Sequence, residues 1–154
     1  MMDTALTDME ADVRAIKAII ERQFSALSWS EGSCGDWETF AADFVEGATL
    51  FPAARPVKPQ SILAFLARMK NVAGKELRSL QETVLGTEVK IFGNIAVAIV
   101  ACGMVENEVT DSQTVEMLLL VKCDGAWRIA AQAWDKVSEL SPIPKGLLTG
   151  RASG

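Results

Sequence analysis

Histidine and tyrosine are both absent from the 154 residues, and this bounds the chemistry at once. A histidine base, a histidine-containing nucleophilic triad and an imidazole metal site are excluded. The commonest phenolic donor to an oxyanion is missing as well. Carboxylates, three cysteines, lysine, arginine and hydroxyls remain. Two acids stand among apolar neighbours. Glu116 lies in "TVEMLLL", where strand alternation gives it a face with Thr114, Leu118 and Leu120. Glu82, in "SLQETVL", is placed similarly, and Arg78 has the parity of a salt partner. The plainer reading of each acid is an edge or exposed position. The functional reading is a carboxyl facing a cavity, its pKa raised by burial, suited to general acid-base work or to holding a polar ligand group. Alternation alone leaves both open.

Other chemistry-bearing residues read more simply. Cys102, inside "AVAIVACGMV", is a buried small hydrophobe without a base to make it a thiolate. Cys34, in a glycine- and serine-rich loop, reads as exposed, and Asp43 and Glu46 as solvated around the end of a helix. In "AWRIAAQAWDK" Trp127 and Trp134 differ in parity, so on an unbroken strand they serve opposite sheet faces. Trp134 is then expected to line a cavity, with Asp135 capping a strand end at its rim. The cysteines have no metal-ligand spacing, so neither a metal nor another cofactor is expected.

Bulk composition narrows the partners. A formal charge of -5, from 15 basic and 20 acidic residues, argues against general nucleic-acid binding, which needs a lysine and arginine surplus. The longest apolar run falls short of a membrane span. The stretch from Asp3 to Asp12 lacks the basic-then-apolar order of a secretion signal. Three cysteines that cannot all pair fit a reduced, cytoplasmic setting.

These residues must be positioned by elements that the sequence also marks. Thr7 to Glu10 fits a capping box, followed by Val13, Ile16, Ile20, Phe24 and Leu27 at helical spacing. Asp36 can cap a shorter helix carrying Trp37, Phe40 and Phe44. Residues 48–51 read as a brief strand. Pro59 suits the first turn of a third helix with Ile62, Phe65, Leu66 and Met69 inward. After Gly74 the period becomes 2, with strands expected at 77–91, 94–106, 112–123 and 126–137. Asp124-Gly125 is a strong hairpin signal. The expectation is one α+β domain over residues 1–154: three N-terminal helices on a strongly curved antiparallel sheet of about four main strands. Its core spans about 8–137, and the tail from Ser138 is flexible.

The segments "AIKAIIERQFSALSW", "GDWETFAADFVEGATLF" and "LLLVKCDGAWRIAAQAWD", in that order, resemble the NTF2-like superfamily. That cone-shaped fold is shared by ketosteroid isomerase, scytalone dehydratase, limonene epoxide hydrolase and the SnoaL-like polyketide cyclases. The resemblance implies a pocket inside the cone. It also implies that Phe24 stands where isomerase-like members carry a tyrosine donor, and Phe51 where they carry the aspartate base. Phenylalanine supplies neither a donor nor a base, so no catalytic residue is carried over. The expected reading is a homodimer that binds a small apolar organic molecule without established turnover. Phe24, Phe51, Met69, Glu82, Glu116 and Trp134 line its site. A SnoaL-like isomerase, cyclase or hydrolase using Glu82 or Glu116, and a structural protein-binding module, are the alternatives.

Overall fold

The computed structural model describes residues 2–148, and the side chains of residues 8–148. Helix α1 spans Met2–Ala26. Its stripe of Ile16, Ile20 and Phe24 is buried, as 3.6-residue spacing requires, and so is Leu27 just past its end. The helix already runs through Thr7, so the expected capping box does not begin it. No glycine or proline precedes Thr7 to stop the helix from extending upstream.

Helix α2, Trp37–Ala42, is capped as expected: the Asp36 carboxylate accepts from the Thr39 amide at 3.2 Å and the Thr39 hydroxyl at 2.6 Å. Helix α3, Ile62–Val72, is capped by the Ser61 hydroxyl, which accepts from the Ala64 amide at 3.0 Å. Pro59 therefore precedes the helix instead of opening it. The hydroxyl satisfies an otherwise orphaned donor, which a proline ring cannot do.

Six strands follow in the order β2-β1-β6-β5-β4-β3. They are β1 (Phe44–Phe51), β2 (Gln60–Ser61), β3 (Leu80–Phe92), β4 (Ile95–Glu106), β5 (Thr110–Cys123) and β6 (Ala126–Lys136). The last four form the antiparallel meander the sequence marks. Its final turn holds Asp124 and Gly125 at φ 52 and 79, the left-handed pair that a two-residue hairpin needs. The architecture is α+β, but its proportions differ from three helices on four strands. One long helix does most of the covering, and β1 is a full strand, joined in parallel to β6. Pairing with β5 leaves the other edge of β6 open, and β1 fills it through a contact about 85 residues long-range that local period cannot reveal.

A bulge in β6 overturns the parity expected of the tryptophans. Leu119 pairs with Ala131 and Leu120 with Ile129, so Ala130 is left out of register. One extra residue exchanges the faces of everything beyond it. Trp127 and Ile129 before the bulge, and Gln132 and Trp134 after it, all turn toward the helices. The Asp12 carboxylate then fastens α1 to the last hairpin, accepting from Trp127 Nε1 at 2.9 Å and Lys122 Nζ at 3.1 Å. Asp43, expected to be solvated, receives both Nε and Nη2 of Arg22 at 3.1 Å. No helix among the described residues is long and apolar enough to cross a membrane.

The opposite sheet face is apolar and open: Ile95, Val97, Met117 and Leu119 are 52, 46, 56 and 45% exposed. The expected flexible tail is placed as far as Leu148, with Leu147 buried against Gly86 of β3. An apolar side chain with a surface to cover orders this stretch despite its prolines and glycines. Residues 149–154 lie outside the described part.

Candidate functional site

Between α1, α3 and the concave sheet lies a cavity of about 170 Å³. Its walls are aromatic. Phe24 comes from α1, Phe40 from α2, Phe65 from α3 and Trp134 from β6. Phe65 stacks on Phe40 with centroids 5.4 Å apart and meets Trp134 edge-on at 5.9 Å. Such contacts fix the walls by more than their buried area. The floor is polar: Glu82 from β3, Glu116 and Thr114 from β5, and Gln132 from β6.

Glu116 is 7% exposed, on the inward face with Thr114, Leu118 and Leu120. This overturns the plainer reading of an edge or exposed position. Gln132 Nε2 donates to Glu116 Oε1 at 2.6 Å, and Gln132 and Gln23 exchange amide hydrogen bonds at 2.8 Å in both directions. A buried relay thus runs from α1 to the floor and fixes the carboxyl. Burial outweighs the hydrogen bond from Gln132 and lifts the Glu116 pKa from an ordinary 4.5 to about 7.

Glu82 reaches the same cavity. Its backbone amide donates to the Ser28 hydroxyl at 3.0 Å, and that hydroxyl donates to the Phe24 carbonyl at 3.0 Å. Next to it, Trp29 and Leu80 exchange backbone hydrogen bonds at 2.8 and 2.9 Å. The segment after α1 therefore ties the start of β3 to the end of α1. Glu82 Oε2 is closed off from solvent and has no hydrogen-bond partner. Burial first, and the nearby Glu116 charge second, hold the Glu82 pKa well above the ordinary range. Arg78, expected as its partner, is exposed and makes no ion pair with it. It precedes β3, whose first residue is Leu80, so strand parity does not govern its direction.

Cys102 pairs with both Val84 and Thr114 across the sheet, between the two acids. It is fully buried, and burial followed by the charges of Glu82 and Glu116 keeps the thiol protonated. At the mouth lie Met69, Glu106 and Arg68, whose guanidinium carbon sits 5.5 Å from the Phe65 ring centre.

Five of the six expected site residues converge here: Phe24, Met69, Glu82, Glu116 and Trp134. Phe51 does not line the cavity. Its neighbour Leu50 does, and strand alternation turns Phe51 to the other side of β1. Asp135 sits outside the cavity, 3.8 Å from Arg55. Gln23 and Gln132 were missed, although an amide within an apolar stripe is the mark of a buried polar network. No cluster of three or more His, Cys, Asp or Glu residues among those described could hold a metal. The site offers carboxyls that donate when protonated and accept when ionised, inside an aromatic-walled cavity.

A sequence model of the family described as "Putative lumazine-binding" matches residues 11–135. The chain belongs to that family, and its fold is the one seen in solved NTF2-like proteins. Solved structures of low identity share the fold. A "Putative Scytalone Dehydratase" from Novosphingobium aromaticivorans is 17% identical, with a TM-score of 0.68 over 95% of this chain and 98% of that one. An NTF2-like protein of unknown function from Silicibacter pomeroyi is 18% identical, at 0.60 over 83% and 98%. A cystatin-like-fold protein from Nostoc punctiforme is 12% identical, at 0.65 over 84% and 93%. No curated protein sequence matches the chain.

Proposed function

We propose that the cone cavity binds a small, flat organic molecule with apolar faces and one polar edge, in a protein that works as a two-fold dimer. The observation that carries this reading is the unpartnered Glu82 Oε2, shut inside an aromatic-walled cavity beside a second buried carboxyl. Buried polar atoms are normally satisfied, so a ligand that brings donors completes the site. The expected apolar ligand is thereby refined to one with a hydrogen-bonding edge. The family's description names lumazine, which makes fused nitrogen heterocycles the first candidates. A cavity of about 150 Å³ holds benzene, so 170 Å³ takes one substituted ring. A bicycle needs Met69 or Arg68 to swing outward.

The dimer rests on the exposed apolar face of β4 and β5, which a second copy would cover. A two-fold contact of more than about 1,000 Å² is expected. Three free cysteines fit the reducing cytoplasm. Quenching of Trp134 fluorescence by lumazine and by one-ring heterocycles tests the binding reading. Saturable quenching that disappears in Trp134→Phe supports it, and a flat response across the panel removes it.

A second reading, turnover by general acid-base chemistry, is favoured by the two convergent acids and their raised pKa values. Weighing against it, Phe24 has no hydroxyl, and the amides of Gln23 and Gln132 are already engaged. Turnover predicts product formation that both Glu82→Gln and Glu116→Gln abolish.

A further inference from the structure

Glu82 and Glu116 are short of donors. Glu116 has one, from Gln132, while Glu82 Oε2 has none. Neither carboxylate takes part in an ion pair among the described residues. Charge around the cavity is equally one-sided. From β3, β4 and β5 it receives Glu82, Glu106 and Glu116, and the sole cation of its lining is Arg68 from α3. Arg68 is exposed and lies over Phe65, so its charge is spent in water at the mouth. The other elements present neutral groups: Gln23 from α1, Leu50 from β1 and Gln132 from β6, and the Cys102 thiol stays protonated. A buried acid normally has a cation or a full set of donors. What is absent here is a positive charge carried on a flat body with adjacent N–H groups.

We propose that the cavity takes a flat organic cation, an amidine or cyclic amidine on an aromatic ring, whose N–H groups fork onto the Glu82 carboxylate. The proposal rests on the cavity being a ligand site and names the chemistry of its occupant. An amidinium presents two parallel N–H bonds to a carboxylate, as arginine does. Its ring would lie against the aromatic lining that Phe24, Phe40, Phe65 and Trp134 give the cavity. The Glu116 charge adds attraction from the neighbouring part of the floor. One substituted ring matches the 170 Å³ available.

Proton balance gives this proposal a signature that simple packing lacks. In the empty cavity, burial keeps the carboxyls protonated toward neutral pH, Glu116 to about 7. A cation needs them ionised, so its entry breaks a carboxyl O–H bond and releases that proton to the buffer. Affinity therefore rises with pH through the titration of the pair.

Calorimetry of the full chain with benzamidine, and with benzamide and benzoate as near-isosteres, tests it. Benzamidine is expected to bind about tenfold or more tighter than either isostere. Its affinity should fall by about tenfold or more from pH 8 to pH 5.5, and heats in two buffers of different ionisation enthalpy should report proton release. Glu82→Gln, with its fold checked by circular dichroism, should remove this preference. Benzamide binding as tightly, or benzamidine binding without proton release, overturns the cation and leaves the cavity reading standing. No heat from any of the three, together with no Trp134 quenching by neutral heterocycles, overturns both.

Discussion

Replacing Glu116 by glutamine should stabilise the protein at pH 8 and leave it nearly unchanged at pH 4. Below pH 4.5 the carboxyl is protonated in both the folded and the unfolded chain and costs nothing. Between 4.5 and about 7 only the folded chain holds the proton, so stability falls as pH rises. Above 7 the folded protein carries a buried charge at full cost. The rise from 4.5 to about 7, at about 1.4 kcal/mol per pH unit, amounts to about 3 kcal/mol. That is a large share of the roughly 5–15 kcal/mol that holds a domain together. Glutamine keeps the acceptor for Gln132 Nε2 and loses only the titration. In urea melts, with a slope of about 2 kcal/mol per molar, the variant's midpoint at pH 8 should exceed the wild-type midpoint by about 1–2 M. Glu82, raised in the same direction, should leave the variant some residual pH dependence. A wild-type midpoint equal at pH 5 and pH 8, or a variant weaker at both, would show that Glu116 carries no such cost.

Asp12→Ala should cost about 1–3 kcal/mol, because it leaves Trp127 Nε1 inside without an acceptor; urea melts followed by tryptophan emission read this directly. The Asp12 pKa is lowered, chiefly by that hydrogen bond, so wild-type Asp12 contributes above the usual 3.8 and its contribution fades as pH falls through the lowered value. Gly86→Val should expel the tail, since even a methyl there meets the Leu147 carbonyl oxygen; faster proteolysis after Val137 than in wild type is the expected sign. Met117→Lys combined with Leu119→Glu should turn the proposed dimer into a folded monomer by light scattering, and an unchanged mass for both proteins would remove the interface.

The inner stripe of α1 and the four-strand meander were legible because their signals are local: helical spacing through Ile16, Ile20 and Phe24, and the left-handed turn at Asp124-Gly125. The parallel β1–β6 pair was not, because a strand's partner across the sheet is chosen by which edge remains open. The Ala130 bulge was equally hidden. It leaves no mark in an alanine pair, yet it brings Trp127 and Trp134 to one face. At the site, alternation placed Glu116 correctly beside Leu118 and Leu120 but could not say that this face was the concave one. Phe51 failed by a single residue, the smallest error a strand allows and one that reverses the face. Gln23 and Gln132 were readable as amides on buried stripes, but their mutual pairing depends on how far α1 lies above β6.

Two carboxyls inside one aromatic cavity define the site, and their titration measures that arrangement most directly. Carbon-13 NMR of glutamate-labelled protein, with Glu82→Gln and Glu116→Gln to assign the signals, follows each carboxyl across the pH range. The expected result is a Glu116 midpoint of about 7 and a Glu82 midpoint well above the ordinary 4.5. Midpoints near 4.5 for both would contradict it, because they would place these side chains in water instead of on the cavity floor.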